Sequence, residues 1–290
     1  MDWLNAIVQG LLLGGLYALL ATGLSLMFGV MRLVNLAQGD LTILSAFLAL
    51  ALIEATGVGP VVALIVIVPV MMIGGYLLQR GLLNRTLDGG VLPPILVTFG
   101  LAVILQNVLL GIYSADSQGI DAGSIESASI TVTDGLAIGI LPLITLGTAI
   151  AVLGGLQLLI GRTQLGRSLR ATADDRDAAR LSGIDDRHVY AVATALAFGT
   201  VAIAGVFLGM RTTFAPADGP VRLIFAFEAV VIGGLGSLWG TLVGGMILGV
   251  SQAIGNQISP SYQILAGHLV FLAVLVFRPA GLFSRPRSRH

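Results

Sequence analysis

Residues 229–277 read "AVVIGGLGSLWGTLVGGMILGVSQAIGNQISPSYQILAGHLVFLAVLVF", 49 positions without a charged side chain. A membrane-spanning helix needs about 20 predominantly apolar residues, so this run holds two spans and a turn. The turn is "NQISPSYQ" (256–263), where polar side chains cluster and Pro260 ends a helix. Working outward, uncharged runs also cover 3–31, 55–79, 89–115, 135–161 and 188–210. The whole 290-residue chain is 56% hydrophobic and 10% charged, with a mean hydropathy of +0.96. Soluble domains carry about 25% charged residues, so this composition would leave them without a polar coat. The prediction is an all-α polytopic bundle, because a barrel would show weaker alternating segments of about ten residues.

Spans are expected at 5–29, 41–58, 60–79, 91–112, 136–160, 189–210, 238–258 and 262–278. Cytoplasmic loops are enriched in basic residues. Arg80 and Arg85 share one loop, 161–187 holds six of the fifteen arginines, and Arg278, Arg285, Arg287 and Arg289 follow the last span. These three segments belong inside; the loop 112–134, with four acids and no arginine, belongs outside. Between the inside loop at 161–187 and the inside tail only three spans are placed, and an even number is required. The missing crossing is "LIFAFEAVVIGGLGS" (223–237), which embeds Glu228 and covers roughly 22 Å as a helix. It reads as a short or discontinuous helix with an unwound end at Gly233, Gly234 and Gly236. Such backbone is tolerated at membrane depth only inside protein or along a wet cavity. A second break lies at "FGVMRLVNLAQGDL" (28–41), where Arg32, Asn35, Gln38 and Asp40 interrupt an apolar stretch. Nine crossings with the amino terminus outside satisfy the charges, and eight do so if one break only re-enters.

The chain has no cysteine, which excludes disulfides and cysteine metal sites. It has no lysine either, which excludes a P-loop and a lysine Schiff base. If ATP drives the protein, another chain binds it. A net charge of zero gives no sign of a nucleic-acid partner. The amino terminus lacks the basic region of a cleaved signal, so the first apolar stretch is expected to be retained. No paired catalytic motif or metal-ligand cluster is evident, so an intramembrane enzyme is disfavoured.

Charges buried in a bilayer are costly, about 2.5–3.5 kcal/mol each by insertion scales. Arg32, Asp40 and Glu228 therefore read as path or gate residues, or as snorkelling or structural ion pairs. His268 reads as a packing residue, and Gln106 and Asn107 as interhelical hydrogen-bonding groups. Four glycine pairs at four-residue spacing (Gly10/Gly14, Gly205/Gly209, Gly240/Gly244 and Gly245/Gly249) suit close helix packing, within the subunit first and between subunits second. In the charged segment, "TADDRDAARLSG" (172–183) predicts a short helix capped by Thr172, with Asp174 and Asp175 at its amino end and Gly183 closing it. Arg176 and Arg180 lie one turn apart. Docking of another protein and a merely solvated loop are both open on these residues alone.

Three stretches carry a resemblance: "GLLLGGLYALLATGLSLMFGVMRLVNLAQGDL" (10–41), "GRSLRATADDRDAARLSGIDDRHVYAVATALAFGTVAIAGVFLG" (166–209) and "AFEAVVIGGLGSLWGTLVGGMILG" (226–249). In order and spacing they resemble the LivH-type permease subunit of branched-chain amino-acid ABC importers, over nearly the whole chain. The resemblance implies one permease domain over 1–290, a periplasmic loop at 112–134 and a cytoplasmic coupling loop at 161–187. It implies a multi-pass protein of the bacterial inner membrane that pairs with a second permease, of the related LivM type. Two cytoplasmic ATPases holding ATP and magnesium, and a periplasmic substrate-binding protein, complete the expected assembly; this chain holds no cofactor. Arg167, Arg170, Asp174, Asp175, Arg176, Arg180 and Gly183 fall in the segment that meets an ATPase. Ala178, Ala179 and Gly183 fit the E-A-A-x-x-x-G pattern of other importers, although Asp177 stands where glutamate would be. ATPase closure is expected to move that helix, tilt 136–160 and 189–210, and open the path to each side in turn. Rival readings are a permease for urea, short amides or another small neutral solute, and a secondary transporter or channel.

Overall fold

The computed structural model describes residues 2–90, 92–133 and 136–283. Arg285, Arg287 and Arg289, used above to place the tail, and position 134 of the outer loop lie outside the described residues. The chain opens with α1 (Asp2–Met31), α2 (Gln38–Thr56), α3 (Pro60–Gly81) and α4 (Leu92–Tyr113). The connection from α4 carries one short turn of helix, α5 (Ser124–Ser127), and an antiparallel hairpin of β1 (Ser129–Thr133) and β2 (Leu136–Gly139). Then follow α6 (Ile140–Arg162), α7 (Gln164–Asp174), α8 (Arg176–Leu181), α9 (Asp186–Arg211), α10 (Gly219–Gly233), α11 (Leu238–Ile258) and α12 (Gln263–Phe277). Among the described residues, eight helices are long and apolar enough to cross a membrane. The all-α bundle is as expected, with two corrections. Residues 136–139 belong to the hairpin, so the span expected at 136–160 starts at Ile140. The helix expected at 223–237 is shifted to 219–233, so that Gly233 is its last residue and Gly234 and Gly236 follow it.

Apolarity alone does not decide which helices sit inside. In its most apolar window α1 is 83% buried, whereas α12 is 6% buried. Both are apolar on every side, but α1 carries glycine where neighbours press closest. A Cβ on Gly10 would lie 2.6 Å from the Val250 backbone, and one on Gly14 would lie 2.4 Å from the Met246 backbone. Gly245 and Gly249 face back onto Gly14 and Gly10, so two of the glycine pairs mesh with each other across α1 and α11. Gly205 presses on Thr42 and Ser45, and Gly240 and Gly244 on Gly233 and Ala229. All four pairs thus serve packing within the subunit. With no hydrophobic drive between helices in lipid, that close approach supplies the dispersion energy that holds the core together.

The same contacts orient the helices. Gly10 meets Val250 and Gly29 meets Gly236, so α1 and α11 are antiparallel. Gly23 meets Ala197 while Arg211 reaches the Leu12 carbonyl, so α9 also opposes α1. α6 runs with α1: Gln9 bonds the Ala137 carbonyl and Gly15 meets Leu146. α3 opposes α9 through Gly75–Phe198 and Gln79–Thr194. α2 and α4 run together, pairing Asp40 with Gln106 and Phe47 with Tyr113. α10 opposes α11 and α11 opposes α12, through Gly244–Ala229 and Gly255–Tyr262. Down the chain, α1, α2, α3, α4, α6, α9, α10, α11 and α12 therefore alternate in direction. Counting the short α10 makes nine passes, and 80–92, 162–186 and 278–283 share one side.

Candidate functional site

The first group of expected site residues sits at the broken corner between α1 and α2. The α1 helix stops at Met31 because Arg32 takes a left-handed backbone, φ 54°, which costs an L-residue roughly 1–2 kcal/mol. The chain then turns back along α1 before α2 begins. Asn35 shapes this return: its side-chain oxygen accepts from the Ala37 amide at 3.0 Å and its carbonyl accepts from the Gln38 amide at 3.2 Å. Gln38 reaches the Leu20 carbonyl at 3.3 Å, well inside the bundle, and its own side-chain oxygen has no partner among the described residues. Asp40, 2% exposed, accepts from Gln106 of α4 at 2.9 Å. Arg32 is exposed, and Asn35, Gln38 and Asp40 are buried.

α10 ties this corner to the second group. Its first residue packs on α2 so closely that a Cβ on Gly39 would lie 1.9 Å from the Gly219 carbonyl oxygen. Glu228, 3% exposed, faces α12 and hydrogen-bonds His268 Nδ1, while its second oxygen has no partner among the described residues. His268 lies beside Phe225, whose ring is 5.3 Å from Tyr17; the Tyr17 hydroxyl donates to Gln252 at 2.5 Å. One polar and aromatic chain therefore joins α11, α1, α10 and α12. His268, expected as packing, is the partner of Glu228. A lone histidine and a lone glutamate 40 residues apart carry no pattern that pairs them. Gln106 does bond between helices as expected. Asn107 does not: its amide caps the Val103 carbonyl of its own helix, because its side chain points outward.

At its far end α10 unwinds where expected. Gly234 and Gly236 take φ 104° and 82°, and Gly233 lies against Gly240. The carbonyls freed there are not left to water. The tail returns, and the amides of Leu282 and Phe283 donate to the carbonyls of Ile232 and Gly233, both at 3.0 Å. No signal in residues 278–283 announces this. The path or gate residues are thus brought to the two ends and one face of a single short helix, rather than into one cavity.

The charged segment is more ordered than a topology marker requires. Thr163 caps α7 by accepting from the Gly166 amide at 3.0 Å, and the Arg170 guanidinium donates to the Ile160 carbonyl at the end of α6. The expected single helix over 172–183 is two. Thr172 is buried within α7 and caps nothing; Asp175 caps α8, accepting from the amides of Asp177 and Ala178 at 3.0 Å each. Asp175 leaves the helical backbone at φ −147°, which divides the segment. Gly183, φ 81°, ends α8 as expected.

Arg176 and Arg180 turn inward. Arg176 Nε donates to Asp186 at 2.6 Å, and Arg180 donates through Nε and Nη2 to both Asp186 oxygens at 2.9 Å. The Arg176 guanidinium also lies 5.6 Å from the Tyr190 ring centre. A carboxylate receiving three charge-assisted bonds at the first turn of α9 locks α8 onto that helix. Arg167, Asp174 and Asp175 face solvent. So does Leu181, 91% exposed at the tip of α8, which the sequence reading did not single out. Among the described residues no three potential metal ligands converge.

A family profile described as "Branched-chain amino acid transport system / permease component" matches residues 6–278. The high-affinity branched-chain amino acid transport system permease protein BraD of Pseudomonas aeruginosa is 29% identical, across 98% of this chain and 96% of its own length. The protein of that system named LivH in Salmonella typhimurium is 27% identical over the same shares of both chains. A probable branched-chain amino acid transport permease protein LivH of Methanocaldococcus jannaschii is 28% identical, over 95% of this chain and 91% of its own.

Proposed function

The chain belongs to the family of permease components of branched-chain amino acid transport systems, and from that membership we propose that it forms half of the membrane path of a binding-protein-dependent ABC importer. The cargo is a branched-chain or other hydrophobic amino acid, as the names of the relatives suggest. A second permease, related to LivM-type chains, completes the path. Two cytoplasmic ATPase subunits bind ATP and magnesium, and a periplasmic protein delivers the solute to the inner membrane. This chain does no covalent chemistry.

The observation that carries the coupling half of this reading is the geometry of α8. Two arginines clamp it to α9, so a push on α8 is delivered to the first turn of a 26-residue helix. Arg170 does the same for α6 through the Ile160 carbonyl. Rigid levers transmit displacement, whereas a solvated loop would absorb it. At the lever's tip Leu181 presents an apolar side chain where charged residues surround it. Exposure alone does not mark a contact, since single surface leucines are common; its place at the tip of a helix clamped to α9 is what assigns it to a partner's recess. Arg167, Asp174 and Asp175 supply a charged rim around it. Arg176 and Arg180 act inside the lever, and Gly183 lets the chain turn back from the tip.

At the other end, α10 serves as the moving part of the path. Its Val221 and Ile224 are exposed, and Phe227 is part-exposed with its ring edge-on to Phe271 of α12. Apolar walls with a few polar groups at Gln38, Asp40 and Glu228 suit an aliphatic side chain on a zwitterion. Gly233, Gly234 and Gly236 let its end pack closely on Gly240, Gly281 and Gly29, and Arg32 with Asn35 holds the facing corner.

Reconstitution of the chain with its ATPases, second permease and binding protein tests the reading. Leu181→Asp is expected to release the ATPase subunits and abolish ATP-dependent leucine uptake, while the thermal midpoint of the chain stays put. Uptake unchanged by Leu181→Asp removes α8 as the contact. Transport by this chain alone in liposomes overturns the ABC reading. Calorimetry of the binding protein against leucine, valine and urea decides the cargo.

A further inference from the structure

Arg80 and Arg85 mark the turn after α3, and Arg187 sits in the first turn of α9. Folding brings the three together with Asn84 and Asp185 around a cleft of about 700 Å³ on the arginine-rich side of the bundle. The floor is fixed. Thr194 donates to Gln79 at 2.7 Å, Gln79 to Asn84 at 2.9 Å, and Asn84 to the Arg187 carbonyl at 3.2 Å. All three side chains in that relay belong to buried residues. The one acid among the described residues lining the cleft is already engaged: Asp185 accepts from the amides of Arg187 and His188 and caps α9. Arg80 donates to the Tyr76 hydroxyl at 2.7 Å, and Tyr76 in turn bonds His188. The guanidinium groups of Arg85 and Arg187 are exposed and have no hydrogen-bond or ion-pair partner among the described residues.

We propose that this cleft binds the phosphodiester headgroup of an anionic glycerophospholipid from the inner leaflet. Three guanidinium groups around a rigid polar floor match a phosphate, which takes planar, forked donors well. The position selects a lipid over a soluble anion. One turn above Arg80, on the same helix, Leu77 is 63% exposed, and Ile73 one turn further is 61% exposed. A headgroup in the cleft would lay its acyl chains along those residues, as basic hollows beside membrane helices do for acidic lipids. The bound lipid would bridge α3 and α9 at the base of the helix that α8 drives. The inference does not depend on the cargo or on the ATPase contact.

The test is lipid retention by the purified full chain, read by native mass spectrometry with dioleoylphosphatidylglycerol, dioleoylphosphatidylcholine or inorganic phosphate added. Wild type is expected to keep phosphatidylglycerol in preference to phosphatidylcholine. Arg85→Gln with Arg187→Gln should weaken phosphatidylglycerol binding about 10–30-fold, from about one factor of five per surface arginine. Arg162→Gln, on the same side but outside the cleft, should leave it unchanged. If the double variant fails to fold, Arg85→Gln alone carries the measurement with about a fivefold loss expected. Equal retention of the two lipids by wild type overturns the proposal, as does unchanged phosphatidylglycerol binding by a folded variant. Inorganic phosphate that displaces the lipid at equal concentration makes this a free-anion site and overturns it too. So does loss of ATPase copurification with lipid binding intact, which makes the cleft a protein contact.

Discussion

Asp186 and Glu228 are both buried carboxylates that tie one helix to another, yet the two are countered differently. Asp186, at the water-facing end of α9, receives three bonds from two arginines. Glu228, inside the bundle, has one imidazole and an oxygen without a partner; Asp40 has one neutral amide. Near water, a second and third charge cost little to bring in and are partly resolvated when the clamp flexes. Deep in the bundle each added ion costs several kcal/mol of desolvation, so the pair is kept minimal. On the proposed reading the three-bond clamp makes α8 and α9 one lever, whereas α10, tied to α12 by the Glu228–His268 bond, is the joint that shifts.

Substitutions break or sharpen that contrast. The largest effect is expected where a joint relies on close approach rather than on bonds. Gly39→Ala drives a methyl group to within 1.9 Å of the Gly219 carbonyl and should destabilise the chain by about 3 kcal/mol, seen as a lowered unfolding midpoint in detergent. Little change in midpoint would mean that α10 is free to move off α2 at rest. Next, Asp186→Ala removes the carboxylate through which Arg176 and Arg180 clamp α8 to α9. Given that both arginines are partly exposed, a loss of roughly 1–3 kcal/mol is expected. Hydrogen exchange should rise across 175–186 while the rest of the bundle stays protected, and uptake should fall with it. Uptake that survives a loosened α8 refutes the lever.

A smaller effect is expected at the inner joint. In a double-mutant cycle, Glu228→Ala and His268→Ala should couple by about 1 kcal/mol, the scale of interhelical hydrogen bonds in membranes. Additive losses would show that α10 and α12 are held by packing alone. The smallest effect on stability belongs to Leu181→Ala. At 91% exposure it should change stability by less than about 0.5 kcal/mol while weakening ATPase binding in pull-down from the assembled complex. A stability loss comparable to that of Asp186→Ala would place Leu181 in the lever rather than at its tip.

Much of this architecture was legible in residue order. Arginine placement and parity required a crossing near 223–237 that hydropathy alone overlooks, and α10 is that crossing. Gly183, Gly234 and Gly236 were legible as chain breaks because each takes a positive φ that other residues resist. The capping of 172–183 was misread because Thr172 and Asp175 are both acceptable caps; which one serves depends on α7 packing Gly166 under the end of α6. The inward turn of Arg176 and Arg180 was not legible for a similar reason. Spacing puts them on one face but cannot say that Asp186 waits there.

The sequence by itself determined the medium, narrowed the passes to eight or nine, and showed which loops share a side. Those follow from the transfer energies of side chains, which add along the chain and need no neighbour. Only the tertiary structure decided which of the equally apolar helices lie at the centre, which polar groups meet, and where α10 begins. Those depend on how closely two backbones approach. α1 lies inside because its glycines meet the glycines of α11, and Glu228 bonds His268 because α10 and α12 both pack on α11.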